Sequence, residues 1–236
     1  MLDTLQKSAQ ILKQFTSTHP EWGTRELAAH LQQPKSTVHL HLQALTQTGF
    51  LRKTPRNKYA LSWRLLEFSG HLHHQLGWYQ EAVTAMQKLA EEVKALSYLC
   101  VLEGQDVLCI ARAHSESEEH REIQTDLYLP THATAAGKIF AAFCSLPIKQ
   151  FQKFTPSTIT TPDEWETALK KIRQDRYALS LEEWVPDSCA LAAPLFQEEK
   201  LVAVLGLQVK TFRFKQQKSN LLHKLLHNTD HFWSGF

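Results

Sequence analysis

The 236-residue sequence predicts an α+β protein, with an N-terminal winged helix-turn-helix and a C-terminal domain built on one sheet flanked by helices. Three observations carry this expectation. Roughly the first sixty residues hold three short helical patterns and then a basic turn between two β-type runs. A long helical stretch follows. Beyond Leu96 the periodicity changes to that of strands, with helical segments interspersed.

The first helix is expected over residues 4–16, where Leu5, Ala9, Leu12 and Phe15 recur at helical spacing. His19-Pro20-Glu21-Trp22-Gly23 breaks it. Thr24 is the expected N-cap of a second helix over 25–31, and Gln32-Gln33 forms the turn after it. Pro34 suits the first position of a third helix, where its missing N–H would have no partner anyway. That helix runs to about Gln47 with Val38, Leu42 and Leu45 inward, and Gly49 ends it in a left-handed cap. Residues 50–52 and 58–61 are the β-type runs around the basic turn Lys53-Thr54-Pro55-Arg56-Asn57. Residues 63–96 read as one or two long helices kinked near Gly77, with apolar stripes able to pair with a second subunit. The expected division is therefore 1–62, a connector over 63–96, and 97–236.

In the last segment, runs over 97–102 and 107–111 flank Glu103-Gly104-Gln105-Asp106 and predict a hairpin. A turn centred on Gly104-Gln105 sets Cys100 opposite Cys109, whereas one centred on Glu103-Gly104 sets Cys100 opposite Val107. Further strands are expected over 123–129, 177–181, 189–196 and 201–209. Helices are expected over 133–144, 163–175 and 216–236.

The net charge of +2 conceals an asymmetry. Residues 1–70 carry nine Lys/Arg against four Asp/Glu, or +5, and the remainder carries 17 against 20, or −3. A polyanion partner is expected at the front. No run approaches the ~20 apolar residues of a membrane span, and the start lacks the layout of a secretory signal. A cytoplasmic protein without membrane partners is expected. In that reducing compartment the widely spaced Cys100, Cys109, Cys144 and Cys189 are expected to be buried thiols. His71 and His74 share a helix face and could hold a metal only with further ligands, so these, His73, and the loop residues His114, Glu118 and His120 are expected to serve surface or interface packing. No metal or cofactor is expected. Neither a P-loop, a GxGxxG, a GxSxG nor an HExxH motif occurs, so nothing points to an enzyme.

A helix-turn-helix lays its second helix in the major groove, with N-terminal residues at the base edges. Here these are Lys35, Ser36, Thr37, His39 and Leu40, continued by Gln43 and Gln47. Gln can bond adenine through two hydrogen bonds, and Ser or Thr can reach bases or phosphates. Lys53, Arg56 and Lys58 in the wing can neutralise backbone phosphates.

The segment from Glu26-Leu27-Ala28 through Gln33-Pro34-Lys35-Ser36-Thr37-Val38-His39, with Leu42, Leu45 and Gly49-Phe50-Leu51, resembles the N-terminal domain of IclR-type transcription regulators. Two later stretches also resemble that family: Leu129-Pro130-Thr131-His132-Ala133-Thr134-Ala135-Ala136-Gly137-Lys138, and Glu182-Glu183 with Ala190-Leu191-Ala192-Ala193-Pro194. The resemblance spans the chain in order. It implies a GAF-like effector domain, a homodimer or tetramer, a near-palindromic operator on double-stranded DNA, and a small organic effector such as a carboxylate or aromatic acid. It departs at Leu40, where the family usually has Arg, and at Asp187, where it usually has Gly. Positions matching the family's pocket are His132, Ala135, Ala136, Ser180, Ser188, Ala190, Gly206 and Gln208. Small residues there can equally serve tight helix–sheet packing, and His132 can equally bond a backbone carbonyl. The expected function is a regulator whose operator affinity responds to a ligand. The alternatives are a ligand-blind DNA binder whose second domain serves oligomerisation, and a metal- or redox-responsive regulator.

Overall fold

The computed structural model describes residues 2–16, 18–115, 128–148 and 150–233. The chain divides into two compact units, Met1–Gly77 and Trp78–Phe236.

In the first unit, α1 (Leu2–Leu12), α2 (Thr24–His30) and α3 (Lys35–Gln47) surround a core that includes Ile11, Leu27, Val38, Leu42 and Leu51. Three strands, β1 (Glu21–Trp22), β2 (Leu51–Lys53) and β3 (Tyr59–Leu61), form an antiparallel sheet in the order β1-β3-β2. α4 (Leu65–Gln75) follows and has no buried residue.

Four expectations fail here. Pro34 is the N-cap of α3 rather than its first residue, and the helix opens at Lys35. The inward side of α1 is not Leu5 and Ala9, since Leu5 is 73% exposed and Ala9 is also exposed. Only the C-terminal end of the helix reaches the core, through Ile11, and Phe15 enters from a tightened last turn (Gln14 N–H to Ile11 O, Phe15 N–H to Leu12 O). The expected breaker holds a strand, because Glu21 and Trp22 pair with Ala60 and Tyr59. Trp22 is buried between the rings of His19 and His30, and its indole N–H donates to Gln14 O at 2.8 Å. The N-cap of α2 is Gly23 rather than Thr24, and the Glu26 carboxylate accepts its N–H at 3.2 Å, which is one half of a capping box.

The end of α3 follows its sequence. Phe50 N–H bonds Leu45 O at 2.9 Å, Gly49 N–H bonds Thr46 O at 3.1 Å, and Gly49 has φ +83°. This Schellman pattern satisfies two otherwise orphaned carbonyls and turns the chain straight into β2.

In the second unit, α5 (Tyr79–Val93) precedes β4 (Leu96–Glu103), β5 (Asp106–Ala113), β6 (Tyr128–Leu129), α6 (Ala135–Cys144), α7 (Pro162–Asp175), β7 (Ala178–Leu181), β8 (Ser188–Gln197), β9 (Lys200–Lys210) and α8 (Thr211–His227). A 3-10 turn, Asp230–Trp233, lies against β8. Six strands form one antiparallel sheet in the order β6-β5-β4-β9-β8-β7. One face meets α6 and α7 through Tyr98, Cys100, Ile139, Phe140, Trp165 and Val204. α5 and α8 also pack on the strands, and Arg213 of α8 donates to the last carbonyls of α5, Val93 O and Lys94 O.

The hairpin register matches the Gly104-Gln105 turn. Cys100 faces Cys109, Glu103 faces Asp106, and a bulge follows at Leu99/Cys100. The closing helix begins at Thr211, five residues before its expected start, because Phe214 in its first turn is buried, and it ends at His227. Of the strand expected over 123–129, Tyr128 and Leu129 form β6, and 123–127 lie outside the described residues. Leu96, expected in a helix, opens β4. β7 pairs only with residues 189–192 of β8, so Pro194 is paired with Val204 of β9 and lies past the end of β7. Among the described residues, no helix is long and apolar enough to cross a membrane.

Candidate functional site

Two places in the fold gather the residues singled out from sequence. The first is the outer side of α3. Val38, His41, Leu42 and Leu45 point into the core. His41 shares a hydrogen bond with Ser8 Oγ at 2.9 Å, tying the helix to α1. The opposite side exposes Lys35, Ser36, Leu40 and Gln43, while Thr37 and His39 are half-buried. Lys35, Ser36 and His39 share a groove with Arg25 and Glu26 of α2 and with Arg56, Asn57 and Lys58 of the hairpin turn. That turn is held by Thr54 N–H to Lys58 O (2.9 Å) and Asn57 N–H to Thr54 O (3.0 Å), with Asn57 at φ +58°. Asn tolerates this left-handed conformation better than most residues.

The cations of the hairpin differ in their surroundings. Lys58 Nζ lies 3.0 Å from Glu26 Oε2. Glu26 is held below the usual carboxylate range, first by the Gly23 N–H and then by Lys58. Lys53 Nζ lies 5.6 Å from the centroid of the Tyr59 ring. Arg56 is exposed at the turn and lines the groove.

The second place is a pocket lined by Tyr98, Leu129, Thr134, Ser180, Trp184, Val185, Ser188, Ala190 and Gln208. Its cavity measures about 30 Å³. Of the expected residues, Ser180, Ser188, Ala190 and Gln208 line it, whereas His132, Ala135, Ala136 and Gly206 do not. His132 is buried beside Phe151 and Phe154, and its Nε2 donates to Gln152 O at 2.8 Å, which is the backbone-carbonyl alternative. Ala135 and Ala136 are sealed in the core. Gly206 lies under the Tyr98 ring, so close that a Cβ would sit 2.2 Å from Tyr98 Cζ. The glycine therefore makes room for a side chain of its own sheet.

The hydroxyl and amide groups of Thr134, Ser180, Ser188 and Gln208 already have partners within the protein. Gln208 Nε2 donates to Ser188 Oγ (2.6 Å), and Ser180 Oγ donates to Ala133 O (2.8 Å). Thr134 caps α6, accepting Gly137 N–H at 3.1 Å and donating to Pro130 O at 2.8 Å. A Cβ on Gly137 would lie 2.3 Å from Thr131 O, so the loop before α6 needs glycine there.

Trp184 and Val185 belong to the 182–187 loop, which is anchored from beneath. Lys138 Nζ reaches Glu183 at 2.5 Å and Leu179 O at 3.0 Å. Thr155 Oγ1 and Thr158 Oγ1 donate to Glu182 O and Glu183 O, each at 2.6 Å. Burial pushes Lys138 down and Glu183 up from their ordinary values, and the pairing opposes both shifts. Asp187, where the resemblance expects Gly, has φ +53°. Aspartate is among the few non-glycine residues that enter this region readily.

Tyr98, Leu129, Thr134, Trp184 and Val185 were missed from sequence. The strand pairing Tyr98↔Gly206 is the signal that would have found the first, but it depends on a contact 108 positions apart in the chain.

Cys100 and Cys109 are buried free thiols in the sheet, as is Cys189. Cys144, expected to be buried, is exposed at the end of α6. The Cys100 S–H, and after it the Arg112 Nε–H that reaches Cys109 Sγ at 3.4 Å, bring the Cys109 pKa down to about 7 against its burial, while burial raises that of Cys100. His71, His73 and His74 are exposed on α4. Glu118 and His120 lie outside the described residues. No group of three metal-ligating side chains converges among the described residues.

Comparison with known proteins gives both halves of the chain a match. Residues 4–55 match the IclR helix-turn-helix domain, and residues 71–231 match the family described as bacterial transcriptional regulator IclR C-terminal. The chain is 26% identical to the HTH-type transcriptional regulator XynR of Escherichia coli over 222 residues, covering 90% of this chain and 88% of XynR. Two solved structures share its fold at 20% identity. An IclR transcriptional regulator of Alicyclobacillus acidocaldarius has a TM-score of 0.81 and covers 100% of this chain and 99% of its own. An IclR homolog of Microbacterium hydrocarbonoxydans, complexed with 4-hydroxybenzoate, has a TM-score of 0.80 and covers 98% of each.

Proposed function

Because the chain belongs to the IclR family of transcriptional regulators, we propose that it binds an operator on double-stranded DNA and that a small organic ligand in the pocket of its second unit alters that binding. In this reading residues 1–62 act as a winged helix-turn-helix, 63–96 as the connector, and 97–236 as a GAF-like effector domain in a homodimer or tetramer. The protein works in the cytoplasm.

The observation that carries the DNA half is the groove in which the start of α3 and the tip of the hairpin share Lys35, Ser36, His39 and Arg56. A phosphate backbone entering there meets cations from both sides, and the helix is left to face the bases. Lys35, Arg56 and Lys53 serve phosphates, and Lys58 does so less, since Glu26 already holds it. Ser36, Thr37, Leu40 and Gln43 serve bases, and His39, half-buried in the groove, lies with the phosphate-facing cations.

The test is the salt dependence of binding. Arg56→Ala is expected to weaken binding to all sequences alike and flatten the log K against log[salt] slope by ~1. Gln43→Ala is expected to leave the slope alone and lose discrimination at particular base pairs. A wild-type protein without affinity for any duplex at low salt sinks the reading.

For the ligand, the lining combines Tyr98 and Trp184 with hydroxyl and amide groups and includes no charged side chain. This suits a hydroxylated aromatic compound, and the relative bound to 4-hydroxybenzoate makes hydroxybenzoates the first compounds to try. One observation favours a second reading, a ligand-blind binder. The cavity of about 30 Å³ accommodates only about two waters, at ~10–15 Å³ each. A ligand must therefore displace part of this lining. Thermal shift with the hydroxybenzoates separates the two readings. A rise in melting temperature that Ala190→Phe abolishes supports the effector, and no rise with any organic or aromatic acid supports the ligand-blind form.

A further inference from the structure

On α3, the exposed residues Ser36, Leu40, Gln43, Ala44 and Gln47 recur at the spacing of a single helix face. Leu40 is 66% exposed in the middle of that stripe, and Ala44, one turn on, extends its apolar surface. From Ser36 to Gln47 the helix contains no Lys, Arg, Asp or Glu.

We infer that this stripe reads A·T pairs, with Leu40 and Ala44 against thymine 5-methyl groups and Gln43 and Gln47 on the adenine edge. The inference rests on the DNA-binding reading above and specifies what that face selects. In the major groove guanine is read chiefly by Arg or Lys on O6 and N7, and cytosine by an acidic side chain on N4. The stripe supplies neither. What it supplies, the amide of Gln and an uncovered aliphatic surface, matches adenine N6/N7 and the thymine methyl.

Neighbouring charges reinforce the assignment. The cations around the helix start, Arg25, Lys35, Arg56 and Lys58, line the groove shared with the hairpin, where a backbone phosphate fits. His39, the remaining titratable group on the outer side, is half-buried in that same groove. His41 is turned inward onto Ser8. The apolar surface of Leu40 left in water gains by covering a methyl, whereas a guanine opposite it would find no donor. The sequence preference thus arises from apolar contact as much as from hydrogen bonding.

The experiment uses the full chain and a pool of random duplexes. Selection by wild type is expected to return sites with an A·T core. Each thymine of a selected site is then replaced singly by deoxyuridine, which removes only the 5-methyl, and affinity is read by fluorescence anisotropy. One or two positions are expected to lose about fourfold, the effect of one methyl-sized group removed from water. Leu40→Ala is expected to bind the thymine site more weakly and to be indifferent to deoxyuridine at one of those positions. Because Leu40 is exposed, this variant keeps its fold, which circular dichroism verifies. A G·C core overturns the inference, as does deoxyuridine without effect anywhere, or a penalty that persists unchanged in Leu40→Ala. In each of those outcomes the protein still binds DNA and the broader reading stands. Failure of wild type to bind any duplex overturns both.

Discussion

Single residues in this chain show how position decides what a side chain does. Lys138 and Glu183 are both buried, and the loop carrying Trp184 and Val185 hangs from their contact. Removing one partner strands a charge in the interior, at a loss of about 3–5 kcal/mol, whereas replacing both with apolar residues is often neutral. Lys138→Met is therefore expected to lower the urea midpoint strongly, and Lys138→Met/Glu183→Leu to recover most of it. If the double variant is as unstable as the single one, the loop depends on the charges themselves and not on filling the space. Gly206 and Ala136 teach a related lesson. As small residues near a pocket they suggested ligand space, yet one accommodates the Tyr98 ring and the other is sealed in the core on the first turn of α6. Smallness in a sequence does not say which neighbour uses the room.

At the scale of elements, what is encoded locally was legible. The hairpin of β4 and β5 has the register its Gly104-Gln105 turn requires, with Cys100 facing Cys109. The Gly49 cap and the inward side of α3 also follow from near neighbours. Elements fixed by distant partners were not legible. β1 exists because Tyr59 and Ala60 lie beside it, and the first turn of α8 exists because Phe214 finds the core. The same limit hid Tyr98 and Trp184 from the pocket. The hairpin thiols offer a test. Cys109 has a folded pKa of about 7 against an ordinary 9. Between these values the unfolded chain holds a proton that the folded chain has released. Folding stability from this group is therefore complete above about pH 9 and is lost as pH falls through 7. With reductant present, wild type is expected to gain about 2 kcal/mol over Cys109→Ser on going from pH 6 to pH 9. Equal pH profiles in urea melts would show that Arg112 and Cys100 do not hold the thiolate.

For the molecule as a whole, the two units have separate cores, one around Leu42 and Val38, the other around Ile139 and Phe140. Calorimetry is expected to resolve two transitions. Leu42→Ala should lower one and Ile139→Ala the other, each losing roughly 2–5 kcal/mol as a core truncation. A single transition moved by both changes would mean that the two cores melt as one. The asymmetry of charge fits this division, since the excess of Lys and Arg lies in the unit that matches the helix-turn-helix domain.

The rim of the large sheet has a consequence for life in a crowded cell. Its outermost strands are short, two residues in β6 and four in β7. Where β7 stops, β8 presents Pro194, which has no N–H to offer an incoming strand. Among the described residues, a foreign peptide seeking to extend the sheet at β6 or β7 finds only a short row of donors on either strand. A protein that must remain dispersed while it searches a genome thus carries its protection against cross-molecular β-assembly in the length of two strands and the placement of one imino acid.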